Sequence, residues 1–426
     1  MVSMIEAHFY GIPHQSSIYG LTSLFAGESS HKVLVASSKR KVYCIEYTKS
    51  KQSVIFSTRE VQFTYIPSRA EIISIDAFNQ ACHIHDFVVG ITFTKLDNGG
   101  KQSQYFNIYS DWEPSNECDL DNIAQGCLSI CLDFIPFHLT HTELSVNQSK
   151  EMVWLLSGSD CKIHLYREDK TRQTYSEEPS NTCFPEFEDL PSLVMWMDFI
   201  ASDDSRITAL GCKDGTVIVS LIEFVPDIHI VSSWKIQHDG PISSVKLFKD
   251  SGLKNRLASA HSDAIDEKGK INLVVGNTLE VSVVYRDVLN CDLSISSQWQ
   301  LPNSNKFDCV TCALIADIDM DGNNELLLGT YGQLFLIYKW KPESAKKGKG
   351  SYFLFHQQML PNPILAMSYI DIVGDGLKEL LILTTKGLHI FQHDMKKAAE
   401  LCLSRMKILL QKMSREELES CLKLES

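Results

Sequence analysis

One module of short apolar strands returns seven times along the 426 residues. It runs as an apolar strand, a polar turn, a strand reaching a small residue, a second turn, and a strand that often ends in Tyr. The module reads VLVASSKRKVYCIEY at Val33–Tyr47, and FVVGITF at Phe87–Phe93 with YFNIY at Tyr105–Tyr109. It returns as WLLSGSDCKIHLY at Trp154–Tyr166, ITALGCKDGTVIVS at Ile207–Ser220 and NLVVGNTLEVSVVYR at Asn272–Arg286. The last copies are LLLGTYGQLFLIYK at Leu326–Lys339 and LLILTTKGLHIF at Leu380–Phe391. With Ala36, Gly90, Gly158, Gly211, Gly276, Gly329 and Thr384 as anchors, the copies are spaced 53 to 68 residues apart.

A further strand precedes each copy: Tyr19–Phe25, Glu71–Asp76, Leu128–Phe134, Leu193–Phe199, Ile242–Phe248, Val310–Asp317 and Leu365–Asp371. Units of about four short strands rich in Val, Ile, Tyr and Phe predict radial stacking, because one blade cannot bury both its faces alone. The expected fold is all-β: a seven-bladed β-propeller over residues 1–393, followed by a C-terminal α-helix over 394–426. A length rule of about 150 residues per domain suggests two or three domains; the sevenfold period takes up that length in one. The seventh unit lacks a strand, and Ile5–Ile12 is the candidate to complete it and remove an open edge.

Several loops stretch the period. Lys249–Lys270 reads as a polar insertion, Asp111–Gly126 and Ser145–Lys150 lengthen the third interval, and Leu96–Gly100 forms an Asn-Gly type hairpin tip. Glu168–Pro191 is an acidic connector, read as a solvated loop or a docking patch.

Composition excludes several classes. The chain carries 40 Lys+Arg against 53 Asp+Glu, a formal charge of −13, which disfavours nucleic-acid backbones. No apolar run reaches the roughly 18 residues of a membrane-spanning helix, so no membrane insertion is expected. Met1–Pro13 lacks the basic-then-apolar layout of a signal peptide. The 13 cysteines are odd in number and read as reduced thiols. Cys309 and Cys312 lie three apart in a strand, on opposite faces, with no second pair to complete a zinc site. Cys82-His83-Ile84-His85 reads as a surface loop. Asn147-Gln148-Ser149 fits a glycosylation acceptor that has no meaning without secretion. No nucleophile elbow, P-loop or dinucleotide fingerprint is present, so no enzyme and no required cofactor are expected.

Two loops carry acidic turns. In Asp317-Ile-Asp319-Met-Asp321-Gly322-Asn323-Asn324-Glu325, oxygen-bearing residues stand at positions 1, 3, 5, 7 and 9 with Gly at 6. Hard cations take several oxygens on such a turning loop. Asp317, Asp319, Asp321, Asn323 and Glu325 are therefore calcium-ligand candidates, set against a reading as plain turn formers. The spacing resembles the FG-GAP loops of integrin-α-type propellers, apart from Glu325 where Asp is usual. The second copy, Asp371–Leu380, has Val373 at its middle position, which argues against a metal there.

From Asp394 the pattern turns helical. Met395, Ala399, Cys402, Met406, Leu409 and Met413 step by four and three, a heptad seam suited to packing on a partner protein or back on the propeller edge. Basic residues crowd the other faces.

Ordered stretches along the chain resemble the kaptin family. They include EIISIDAFN (Glu71–Asn79), VVGITF (Val88–Phe93), NIYSDWEP (Asn107–Pro114), IAQGCL (Ile123–Leu128), LLSGSDCKIHLY (Leu155–Tyr166), DGPIS (Asp239–Ser243) and VVYRDVLN (Val283–Asn290). ADIDMDG, TYGQ (Thr330–Gln333), DIVGDGLKEL and KGLHIFQH (Lys386–His393) continue the match. The resemblance implies a non-enzymatic adaptor of the KICSTOR complex, with an FG-GAP-containing subunit and a large scaffold as partners. It also implies placement on the lysosomal surface, indirect recruitment of the GATOR complex, and restraint of the TOR kinase complex when amino acids or glucose run out. The same family is associated with F-actin in lamellipodia and stereocilia. For that alternative, the sequence offers only Lys39-Arg40-Lys41 and Lys341–Lys349 as basic loops.

Overall fold

The computed structural model describes residues 4–25, 31–49, 54–80, 87–96, 99–110, 120–146, 149–225, 227–249, 270–342 and 350–412. Among them the strands form seven four-stranded sheets, each an antiparallel blade. The inner strands are Ser16–Phe25, Ala70–Asn79, Pro136–Val146, Val194–Ala201, Ile242–Lys249, Val310–Ala316 and Ile364–Ile370. Each contacts the inner strand of the next blade, and the last contacts the first, closing a ring. The architecture is a seven-bladed propeller.

Second strands are covered on both faces by neighbouring blades, so they read as continuous apolar runs rather than alternating ones. Ile271–Asn277, Glu325–Thr330 and Glu379–Thr384 are buried along their whole length. Outer strands face water and alternate, as in His229–Gln237. The small anchors have a packing reason. A Cβ on Gly211 would lie 2.5 Å from Ile242 Cγ2, and one on Gly329 would lie 2.6 Å from Ile364 Cγ2; both partners belong to the next blade. Glycine here lets two blades approach closely. In all seven blades the register also breaks near the start of the inner strand, a bulge that adds local twist.

Met4–Gly11 pairs antiparallel with Gly387–His393 and forms the outer strand of blade 7. Glu6 Oε1 lies 2.7 Å from His389 Nδ1 across this pair. The two ends of the propeller chain thus share one sheet.

Two details differ from the sequence reading. Leu128–Phe134 does not open the third blade: Cys127–Leu132 is the outer strand of blade 2, and Pro136–Val146 opens blade 3. The turn between them is short enough that the apolar pattern runs on across the boundary. The acidic connector is also not simply solvated, because Glu186 within it is buried against Arg206. The expected insertion falls largely on residues 250–269 and the tip of the Leu96–Gly100 hairpin on 97–98, outside the described residues, as does Cys82-His83-Ile84-His85. Cys309 and Cys312 are free, and Cys312 is buried. No described helix is long and apolar enough to cross a membrane.

Candidate functional site

The first acidic loop joins the inner and second strands of blade 6, and its wiring is built from its own side chains. Asp317 accepts the Asp321 N–H at 2.9 Å and the Gly322 N–H at 2.8 Å. Glu325 starts the second strand, and its longer side chain reaches back so that Oε2 accepts the Ile318 N–H at 2.8 Å. Met320 and Gly322 take positive φ, which turns the chain. Asp317, Asp319, Asp321 and Glu325 then bring carboxylate oxygens within 4.8 Å of one another.

Asn323 is tied to one of them, its backbone and side-chain amides both donating to Asp321 Oδ1, at 2.8 and 2.7 Å. A residue from the third strand also enters. Lys339 Nζ donates to Asp319, lies 3.2 Å from Asp321 Oδ2 and 2.9 Å from Glu325 Oε1, and is only 15% exposed. Burial opposes its charge, but the hydrogen bonds and charges of Asp319 and Glu325 outweigh that and hold its pKa above the ordinary lysine value. Burial likewise opposes ionisation of Asp321, yet bonds from Asn323 and Lys339 keep it below the usual carboxylate range. Burial pushes Glu325 up to about 7. Asp319 Oδ1 is buried and makes no hydrogen bond among the described residues.

Blade 7 repeats the loop with the same backbone wiring. Asp371 accepts the N–H groups of Asp375 and Gly376, at 3.2 and 2.8 Å, and Glu379 Oε2 accepts the Ile372 N–H at 2.9 Å. Val373 stands where Asp319 stands in blade 6, and joins the apolar core. Leu326 pairs with Tyr338 and Leu380 with Phe391, so the place of Lys339 falls to Gln392. The middle acid and the lysine are lost together. Sequence spacing located the acidic residues but missed Lys339, whose only trace is Tyr-Lys in blade 6 against Phe-Gln in blade 7.

The C-terminal helix spans Met395–Lys412. Asp394 caps it, accepting the Lys396 N–H at 3.1 Å. Of the seam, Met395, Ala399, Cys402 and Met406 are exposed, Met395 at 59% and Met406 at 51%. The Leu409 side chain and Met413 lie outside the described residues. Met395 also lines a pocket of about 310 Å³ with Asp375, Glu379 and Gln392, which places the helix start beside the blade 7 acidic loop.

The central channel, about 590 Å³, holds charged groups that already satisfy one another. His141 Nδ1 lies 2.6 Å from Asp76 Oδ2, and Lys246 Nζ 3.0 Å from Asp198 Oδ1. Burial pushes His138 down to about 3, and its uncharged ring accepts the Met197 N–H at 3.2 Å.

The family model described as KICSTOR complex protein kaptin matches residues 4–403. A curated mouse (Mus musculus) protein of the same description is 40% identical over 408 residues, covering 95% of this chain and 91% of that one. Among solved structures, BBS1N in its complex with ARL6DN is similar in two crystals, soaked with mercury and with lead. Each has a TM-score of 0.52 and covers 92% of this chain, with 97% and 96% of the other chain and identities of 10% and 11%. At such identity the likeness concerns the fold alone. With a matching family model across nearly the whole propeller and a full-length relative of this similarity, the chain belongs to the kaptin family.

Proposed function

We propose that this chain is a non-enzymatic scaffold subunit of a KICSTOR-type complex. In this reading it helps recruit the GATOR complex to the lysosomal surface and so restrains the TOR kinase complex during amino-acid or glucose shortage. The observation that carries the reading is the exposed seam of the C-terminal helix on a chain of the kaptin family: Met395, Ala399, Cys402 and Met406 are exposed along it, with Leu403 and Ile408 exposed beside it. Flexible Met side chains suit packing against another helix. The partners in this account are an FG-GAP-containing subunit and a large scaffold, with GATOR held through them.

The test is complementation. In cells lacking the endogenous chain, the full chain should restore the fall in TOR-kinase substrate phosphorylation on amino-acid withdrawal, and a chain ending at residue 393 should not. Equal restoration by both overturns the role of the helix; restoration by neither overturns the scaffold reading. Direct binding to actin filaments gains little from the structure. Lys41, in the basic loop Lys39-Arg40-Lys41, is paired with Glu60 at 2.7 Å.

A further inference from the structure

The blade 6 loop has the spacing of a divalent-cation site, yet a cation of the chain's own stands at its centre. Lys339 Nζ reaches Asp319, Asp321 and Glu325, three of the four carboxylates gathered there. The fourth, Asp317, holds the turn through backbone N–H groups and keeps the loop in shape. An ammonium with three donors meeting three carboxylates supplies the charge and much of the coordination that a hard cation would supply.

The two sister loops of this one chain serve as an internal control. Backbone capping is common to both, so Asp at position 1 and Glu at position 9 belong to the turn whatever the cation. At the cluster, Asp319 and Lys339 in blade 6 stand against Val373 and Gln392 in blade 7; Met320, Asn323 and Asn324 also differ, against Gly374, Leu377 and Lys378. Where the middle acid is absent, the third strand carries no lysine at the matching place.

We infer that Lys339 is the resident cation of the blade 6 loop, that the native chain therefore excludes calcium there, and that removing the ammonium opens a divalent-cation site formed by Asp317, Asp319, Asp321 and Glu325. Asp319 Oδ1, buried and without a hydrogen bond among the described residues, is the oxygen left available to such an ion. The Tyr369 hydroxyl donates to the Asp317 carbonyl at 3.4 Å, so an aromatic donor for luminescence lies beside the loop.

Terbium, a luminescent stand-in for calcium, tests this on the full chain. Lys339→Met should bind terbium saturably at least tenfold more tightly than the native chain, calcium should compete it off, and adding Asp319→Asn should abolish the signal. A folded Lys339→Met chain with no saturable signal, or a native chain that binds equally well, overturns the inference. If Lys339→Met does not fold in either calcium or chelator, amine labelling of the native chain decides. Lys339 should be acetylated at least tenfold more slowly than exposed Lys396, at a rate unchanged by millimolar calcium. Labelling as fast as Lys396, or a rate altered by calcium, overturns it.

Discussion

Arg206 and Glu186 form an ion pair in which both side chains are fully buried, with Arg206 Nε 3.1 Å and Nη2 2.9 Å from Glu186 Oε1. Thr208 donates to the same oxygen at 2.8 Å, and the guanidinium lies 4.0 Å from the Phe184 ring centroid. The pair fastens the connector that follows blade 3 onto the second strand of blade 4. Removing one partner leaves a buried charge uncompensated, so Glu186→Ala or Arg206→Ala should cost roughly 3–5 kcal/mol in urea unfolding. A cost below about 1 kcal/mol would mean that the connector is not held this way.

Ring closure gives a second prediction. The N-terminal strand satisfies the edge of Gly387–His393 along seven residue pairs. Deleting the first twelve residues should lower the stability of the whole propeller by roughly 3–6 kcal/mol, several net hydrogen bonds' worth, and within one cooperative transition. Unfolding of the truncated chain at the same denaturant midpoint as the full chain would refute it.

The interblade glycines give a third. Valine at Gly211 or Gly329 would meet Ile242 or Ile364, rigid β-branched side chains, at under 3 Å. Overpacking of this kind typically costs 1–3 kcal/mol, and calorimetry on Gly211→Val and Gly329→Val measures it. Val at Gly99, where an added Cβ meets nothing within 4 Å, is the control and should leave the unfolding temperature nearly unchanged.

Glu379 makes stability depend on pH. Burial pushes its carboxyl from the ordinary 4.5 up to about 7, so the folded chain binds this proton more tightly than the unfolded one. The contribution is fully present below about 4.5 and is lost as pH rises through about 7, with an amplitude on the order of 2 kcal/mol. Glu379→Gln keeps an acceptor for the Ile372 N–H and should flatten that fall. The variant should match the native chain at pH 4.5 and exceed it at pH 8; equal stabilities at both would show that the carboxyl is not so perturbed.

How much of this was legible in the sequence follows from contact range. Each strand-turn-strand module and each acidic turn is local, fixed within about fifteen residues, and the module's sevenfold return could be read directly. What escaped reading joins distant segments or hides at a boundary. Lys339 meets Asp319 across a hairpin, and nothing in YKW announces that its ammonium points into the loop. Glu186 looks like one more charge in an acidic connector, and only Arg206, twenty residues on, makes it a core residue. The alternation in PFHLTHTELSV marks the true start of blade 3, yet the apolar run just before it drew the boundary forward. At the helix, the four- and three-residue steps predicted a seam, while its exposure depends on where the helix leaves blade 7.

The claim that this seam joins the chain to its complex is tested most directly by quantitative co-purification from amino-acid-starved cells. The full chain is compared with a variant carrying Met395→Gln, Cys402→Ser and Met406→Gln, which keeps the propeller and the helix. The account predicts at least a tenfold loss of the KICSTOR subunits recovered with the variant, at unchanged thermal stability. Recovery of those subunits in equal amount would contradict it.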